Sequence, residues 1–391
     1  MYQIQLYNKI AACGTDLLNP KRYEIGESFA DPDGILVRSA SLHEIELGDS
    51  LKAIARAGAG VNNIPIDRCS ERGIVVFNTP GANANAVKEL TLCALLLASR
   101  DVAGGIDWVL SQKGTTDVAK RAEKEKSRFA GRELAGKTLG VIGLGAIGGM
   151  VANVATHLGM NVIGYDPYIT VEAAWSLSRS VVKAASYDEI FQSCDYISIH
   201  VPATAETKGM FCAEAFAKMK DGVRIVNLSR AELVNSADLL AAVRSGKIAS
   251  YVTDFADDIL VGAHEHIVIM PHLGASTEES EDNCAVMAVR ELDEFLTNGN
   301  IRNSVNFPNA SMPHDGDHRI CVMHRNVPGV LSAISSIVAE RNLNIENMLN
   351  RSRGDYAYTI IEVIGDVPAD TLERLSDIEG VIRAIHYVGR R

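Results

Sequence analysis

The sequence predicts an α/β protein: a doubly wound parallel sheet, a discontinuous second α/β lobe and a small C-terminal βαββαβ module. Three observations predict it. Short apolar runs alternate with helical stretches along most of the chain, a glycine-rich turn joins a strand to a helix at residues 143–148, and the stretch from Arg319 has a strand–helix rhythm of its own.

Taken in order, YQIQLY, GILVRSA, LKAIARAGAG and GIVVFNTP read as strands of a small parallel unit separated by polar turns. Residues 83–104 are apolar at helical spacing and read as a buried helix leading to the next unit, and AKRAEKEKSRFAGREL after them reads as a solvated charged face. From Lys137, TLGVIGLG is a buried strand turning on glycines, AIGGMVANVATHLG a helix, and MNVIGYDPY a strand ending in an acid; CDYISIHVP, VRIVNLSR, IASYVTDF and HIVIMPHLG supply further strands. That alternation requires right-handed crossovers within one parallel sheet. A helix is expected from Thr277 to Asn298, SVNFPNASMPHDGDH reads as a linker, and the tail reads as an independent α/β sandwich. The expected domains are 1–95 with 276–306 for the discontinuous lobe, 96–275 for the doubly wound sheet, 307–318 for the linker and 319–391 for the C-terminal module.

Composition narrows the function. The 391 residues are 47% apolar and 22% charged, which suits a globular chain of two to three domains, and the net charge of −11 opposes general binding to nucleic acid or an anionic membrane. The longest apolar run, LCALLLA, is far short of a membrane span. Seven scattered cysteines with no C-x-x-C pair suggest neither a zinc site nor a disulfide framework, and a cytoplasmic setting is expected. His264 and His266 bracket Glu265, but without further ligands they read as surface histidines, so no metal is expected.

Gly143, Gly145 and Gly148 form GLGAIG. The first glycine permits the tight turn, the second lets backbone approach a pyrophosphate, and the third allows close helix packing, while Ala146 and Ile147 present N–H groups at the positive helix end. Asp166, about 20 residues on at the end of the next strand, is the expected acceptor for a ribose hydroxyl. Pro167 and Tyr168 follow where an arginine would receive a 2′-phosphate, so NAD is favoured over NADP.

Hydride transfer to NAD from a hydroxy acid needs a cation for the carboxylate and an acid/base for the oxygen's proton. Arginine's planar fork suits the first and histidine's near-neutral pKa the second. Arg230 in VNLSRAELV and His272 in MPHLGAST both sit at ends of expected strands, which is the cofactor edge of such a sheet.

With RAGAGVNNI, FNTPGANA, GKTLGVIGLGAIG, HVPATAETKG, YVTDF and PHLGASTEESEDNC in the same order, these segments resemble the D-2-hydroxyacid dehydrogenase family over essentially the whole chain. The resemblance implies a Rossmann-type NAD domain and a flavodoxin-like substrate domain. It implies Arg230 as carboxylate ligand, His272 as general acid of carbonyl reduction, and Thr79, Thr207, Leu228, Ser229, Arg230, Asp254, His272, Gly274 and Ala275 as the lining of NAD. The family's glutamate that bonds the histidine is missing. Aligning on Phe255 puts Asp258 in its place and aligning on Asp254 puts Ile259 there, so Asp258 is taken as the dyad carboxylate with Asp257 in reserve. Arg38 would contact substrate, Arg56 is a weaker candidate, and the loop of Gly58, Ala59, Gly60 and Asn62 would offer N–H groups to an anion. Lys124 and Lys126 read as part of the solvated run.

The tail, ICVMHRNVPGVLSAISSIVAERNLNIENMLNRS, resembles the ACT domain. In dehydrogenases bearing this module L-serine binds between paired ACT domains, and His324, Asn326 and Asn344 fall on the positions that hold it. Together the resemblances imply a small anionic phosphorylated hydroxy acid as substrate. The implied reaction is NAD-dependent oxidation of 3-phosphoglycerate to 3-phosphohydroxypyruvate and its reverse, at the start of serine synthesis, with serine as effector and a homodimer or homotetramer as assembly. Two other readings are a dehydrogenase or reductase for another 2-hydroxy acid (glycerate, glyoxylate or 2-hydroxyglutarate) and an NAD-sensing interaction protein like the corepressors that share this fold.

Overall fold

The computed structural model describes residues 1–314 and 316–389 and divides into two compact units. One unit is Met1–Asn83 with the chain from Glu278 onward, and the other is Ala84–Thr277.

The first unit opens with five strands: β1 (Tyr2–Tyr7), β2 (Tyr23–Gly26), β3 (Gly34–Val37), β4 (Ala53–Arg56) and β5 (Val75–Phe77). All pair in parallel in the order β2-β1-β3-β4-β5, a flavodoxin-like arrangement. Strands β3 and β5 are buried along their whole length, which is why GILV and VVF read as continuous apolar runs.

The second unit holds seven parallel strands: β6 (Thr138–Ile142), β7 (Asn161–Tyr165), β8 (Val181–Lys183), β9 (Tyr196–Ile199), β10 (Val223–Asn227), β11 (Ile248–Thr253) and β12 (Ile267–Ile269). Their order, β12-β11-β10-β9-β6-β7-β8, reverses between β6 and β9, as in a doubly wound sheet. The expected division at 95/96 cuts through the helix Ala84–Ser99. That helix packs as a whole on this sheet, with Val87, Ala94, Leu95 and Ala98 in one core with Leu139, Val141 and Val252, and so the units part at 83/84 and 277/278.

The C-terminal strands β13 (His318–Arg325), β14 (Asn344–Arg353), β15 (Tyr356–Ile364) and β16 (Val381–Val388) pair antiparallel in the order β14-β15-β13-β16, with helices Val330–Glu340 and Thr371–Ser376. The βαββαβ pattern is as the sequence reads, but its independence is not. One face of the sheet covers its own helices through Ile320, Val322, Ile361 and Val363. The other face, through Cys321, Met323, Tyr358, Ile360 and Tyr387, joins the core of the first unit with Phe77, Phe295 and Phe307.

The expected linker is correspondingly packed. Phe307 and Ala310 are buried, Ala310 bridges Ile301, and the Met312 and Pro313 carbonyls accept from Arg319. Arg319 is fully buried, pairs with Glu362 at 2.6 Å, and donates to the Asn298 carbonyl at 2.8 Å. Removing one partner of such a pair strands a buried charge, at about 3–5 kcal/mol. Among the described residues no helix is long and apolar enough to cross a membrane.

The helix Glu278–Asn298, expected from Thr277, carries a second buried acid. Glu291 accepts from Asn303 Nδ2 at 2.7 Å through one oxygen, its other oxygen is buried without a partner among the described residues, and burial pushes its carboxyl up to about 8. The proton that Glu291 keeps in the fold stabilises fully below the ordinary value of 4.5, and this contribution is lost as pH rises towards 8. Glu291→Gln removes that slope. Thermal melts should show the variant gaining on the parent between pH 5 and 8, and parallel curves over that range would contradict the assignment.

Candidate active site

One transverse row organises the second unit. Ile269, Thr253, Asn227, Ile199, Ile142 and Tyr165 are in register on neighbouring strands β12, β11, β10, β9, β6 and β7. Because all these strands run the same way, the residue after each member emerges on the same edge. Those residues are Met270, Asp254, Leu228, His200, Gly143 and Asp166, with Arg230 and His272 each three positions past its row member. Adjacent strands lie about 4.8 Å apart, so the ends of β10 and β12 are separated by about 10 Å.

The glycine turn leaves β6 at Gly143, whose φ of +89° favours glycine and where a Cβ would stand 2.7 Å from the His200 carbonyl. A Cβ on Gly148 would meet the Gly143 carbonyl at 1.9 Å, whereas one on Gly145 would meet nothing within 4 Å. The first and third glycines therefore serve the protein's own packing, and the second leaves open space in front of the helix Ala146–His157. Asp166 is held by the Leu144 and Tyr168 N–H groups, each at 2.9 Å, which leaves acceptor positions for a ribose diol. This donor set fits a dinucleotide.

His200, not singled out in the sequence, closes the same edge. Its N–H donates to Ile142 at 2.7 Å, its Nε2 meets Ser198 Oγ at 2.8 Å, and burial pushes the imidazole down to about 4, so it is neutral here. The signal available was HVP at the end of CDYISIHVP. Thr207 braces the following loop, donating to the Pro202 carbonyl at 2.6 Å and accepting from the Thr204 N–H at 2.8 Å.

Asn227 is the second residue missed. It is fully buried, donates to the Arg230 carbonyl at 2.8 Å and accepts from the Ser229 N–H at 3.1 Å, so a single amide pins the turn that presents Arg230. Ser229 Oγ ties that turn to the Val201 carbonyl at 2.6 Å, and the Arg230 side chain is exposed beyond it.

On the middle strand, buried Asp254 accepts from the Gly274 N–H at 2.9 Å and so fixes the loop that carries His272 and Ala275. Burial raises its carboxyl, opposed by the Gly274 N–H and by the nearby His272 imidazole. The Phe255 ring lies 5.0 Å from that imidazole, centroid to centroid. Asp257 is committed to structure: it accepts from Ser236 Oγ at 2.9 Å and from the Ile259 and Leu260 N–H groups, capping the turn. Asp258 is exposed on that turn.

The first unit carries Arg38 at the end of β3 and the glycine loop after β4. Arg38 Nη2 is paired with Glu281 Oε1 at 2.6 Å. The Ala59 carbonyl of the loop accepts from Asn78 Nδ2 at 2.6 Å, and the Gly58 carbonyl accepts from the N–H of Thr79, which is buried in this unit. Gly60 and Asn62 stand on the same loop.

The three ACT residues are not brought together within one chain. His324 pairs with Ala357 and Asn344 with Ile364, seven positions apart on β15, which is about 23 Å along the strand. His324 is buried with both ring nitrogens engaged, at 2.8 Å from the Arg325 carbonyl and 3.0 Å from Thr359 Oγ1. Asn326 Nδ2 donates to the Gly354 carbonyl at 3.1 Å, and Asn344 is exposed at the start of the edge strand β14.

Residues 92–274 match the model of the D-isomer specific 2-hydroxyacid dehydrogenase NAD binding domain, and residues 319–380 match the ACT domain. The chain is 30% identical over 375 residues to a D-3-phosphoglycerate dehydrogenase of Haemophilus influenzae, covering 92% of this chain and 88% of that one. It is 37% identical over 294 residues to a protein of the same name from Methanocaldococcus jannaschii, covering 73% of this chain but spanning only 54% of that longer relative. The NAD+-bound 3-phosphoglycerate dehydrogenase of Entamoeba histolytica superposes with a TM-score of 0.62 at 30% identity, over 78% of this chain and 98% of that one. The chain therefore belongs to the D-isomer specific 2-hydroxyacid dehydrogenases and carries an ACT domain behind the NAD-binding and substrate-lobe folds.

Proposed function

We propose that the chain oxidises 3-phosphoglycerate to 3-phosphohydroxypyruvate with NAD, and catalyses the reverse, as the opening step of serine synthesis. The observation that carries this reading is the single row of strand ends that places the glycine turn, Asp166, Arg230, Asp254 and His272 on one edge. The names of the relatives support the choice of substrate.

NAD bound on the glycine turn supplies a hydride acceptor. Arg230 grips the substrate carboxylate with its planar fork, and His272 takes the hydroxyl proton as the C2 hydrogen leaves as hydride. Asp254 holds the His272 loop, and Asp258 is the carboxylate proposed to steady the imidazolium. Arg38 receives the phosphate, beside the loop of residues 58–62.

In an NADH absorbance assay, 3-phosphoglycerate should outperform D-glycerate, lactate and 2-hydroxyglutarate. His272→Asn and Arg230→Ala should each lower kcat/KM by about 100-fold or more, and Asp258→Asn should shift the pH profile of turnover. Equal rates for glycerate and its phosphate would favour a dehydrogenase of another hydroxy acid, a role some structural relatives hold by name, such as the glyoxylate reductase of Paecilomyes thermophila (TM-score 0.65, 25% identity, 78% of this chain and 98% of that one). NAD binding without turnover of any acid would favour the NAD-sensing reading.

Calorimetric titration addresses the cofactor. Asp166→Ala should weaken NAD by about tenfold while improving the relative affinity for NADP, and a variant keeping full NAD affinity would remove Asp166 from the site.

We also propose a homodimer or homotetramer with serine as effector. Helix Val102–Ser111 exposes Val102, Ile106, Val109 and Leu110 along one stripe, which suits self-association. The separation of Asn344 from His324 and Asn326 suits a serine shared between two copies, each giving one end of the sheet. Serine at millimolar concentration should lower the rate and raise the melting temperature, and Asn344→Ala should abolish both effects. Serine leaving both unmoved in the parent would end the regulatory part alone. The seven free cysteines suit the cytoplasmic setting expected from the sequence.

A further inference from the structure

We propose that Glu281 sets the affinity and selectivity of the anion site in the first unit by contending with the substrate's phosphate for the Arg38 guanidinium. This rests on the reading above that Arg38 receives the phosphate.

The backbone under Arg38 is fixed from several sides. Asn8, with a φ of +71°, accepts from the Ser39 N–H at 3.0 Å and the Ala40 N–H at 2.6 Å. Arg56 Nε donates to the Arg38 carbonyl at 2.9 Å, and Asn63 Nδ2 donates to the Ala40 carbonyl at 2.8 Å. With both its N–H groups and its carbonyls tied down, this short segment moves little, so Arg38 reaches a ligand only by swinging its side chain.

Glu281 stands in the first turn of the helix Glu278–Asn298, which packs against β3, β4 and β5 and is equally fixed. Cys284, three residues on, lies within electrostatic reach of both Arg38 and Arg56, so two guanidinium groups gather beside this turn.

The pair itself suits exchange. One nitrogen meets one oxygen at 2.6 Å, and the side chains of Arg38 and Glu281 are 41% and 44% exposed. A single-point, solvent-exposed contact of this kind is weak, whereas a phosphate dianion offers the guanidinium two parallel bonds and a second charge. A phosphate therefore takes the guanidinium from Glu281, and a hydroxy acid without phosphate leaves the pair closed. Glu281 lowers the affinity for every anion at Arg38, and weak anions lose most of their occupancy.

The test compares steady-state kinetics of Glu281→Gln and the parent, with Glu281→Ser as a second variant and thermal melts confirming the fold. The expected result is a KM for 3-phosphoglycerate about twofold to fivefold lower, matching the measured range of exposed ion pairs. kcat should move less, inorganic phosphate should inhibit at lower concentration, and the KM for D-glycerate should stay within error. Arg38→Gln should raise the KM for 3-phosphoglycerate, and adding Glu281→Gln to it should have no further effect. A KM for 3-phosphoglycerate that is unchanged or higher in both Glu281 variants, while Arg38→Gln still raises it, overturns the proposal and leaves the reading of Arg38 intact. An unchanged KM in Arg38→Gln overturns both.

Discussion

The site depends on a level edge. Parallel pairing puts Ile269, Thr253, Asn227, Ile199, Ile142 and Tyr165 in one row, so six chain segments leave the sheet at the same height and in the same direction. A one-residue slip of β10 against β11 would turn every side chain of β10 to the opposite face and take Asn227 out of the pocket from which it pins Arg230. On the proposed reading, the chemistry is therefore held less by Arg230 and His272, which are exposed, than by buried groups behind them. Asn227 steers Arg230, Asp254 steers the His272 loop, and neither is expected to touch substrate. This division is physically reasonable: a guanidinium and an imidazole must stay in reach of ligand and water, and their precision has to come from backbone bonds made where water is excluded.

Much of this was legible in the sequence because it rests on local rules. A glycine turn between a strand and a helix, an acid at the next strand end and the alternation of apolar runs each follow from backbone geometry within a few residues. The steering residues were not legible for the opposite reason. Asn227 and His200 sit inside runs that read as plain buried strand, and an amide or imidazole at a strand end has no periodicity of its own. Asp257 suits a dyad by type and position, but its carboxylate closes the turn formed with Ile259 and Leu260, a demand visible only once the backbone is in place. Likewise, His324, Asn326 and Asn344 are close in sequence, whereas antiparallel pairing puts Asn344 at one end of the sheet and His324 at the other.

The largest difference between expectation and structure is the status of the C-terminal module. A polar segment with two prolines reads as a tether, yet Phe307 and Ala310 fill core positions and the Met312 and Pro313 carbonyls accept from a buried guanidinium. Alternation in β13 and β15 explains why. Ile320, Val322, Ile361 and Val363 face the module's helices, while Cys321, Met323, Tyr358 and Ile360 on the other face are equally apolar. A sheet apolar on both faces needs two covers, and the module's own helices supply only one. The strand pattern held the clue, in runs such as YTIIEVI that are apolar almost throughout rather than at every second residue.

Sharing a core changes what an effector at this module can do. On a flexible tether, a ligand would alter the rest of the chain only through effective concentration. Here Arg383 of β16 reaches across to the Asp49 and Leu51 carbonyls, in the connection that leads from β3 into β4. That connection begins just after Arg38 and ends just before the strand that presents Arg56 and the glycine loop. Any strain a ligand places on β16 is therefore applied to the segment bounded by the two arginines, through packed side chains and direct hydrogen bonds. On the proposed reading of Arg38, Arg230 and His272, coupling of this kind alters how the first unit holds an anion before it alters the hydride step, because Arg230 and His272 are anchored on a different sheet. An effector acting through this route shifts KM for the phosphorylated substrate more than kcat, whereas one acting on the edge of the NAD-binding sheet would do the reverse.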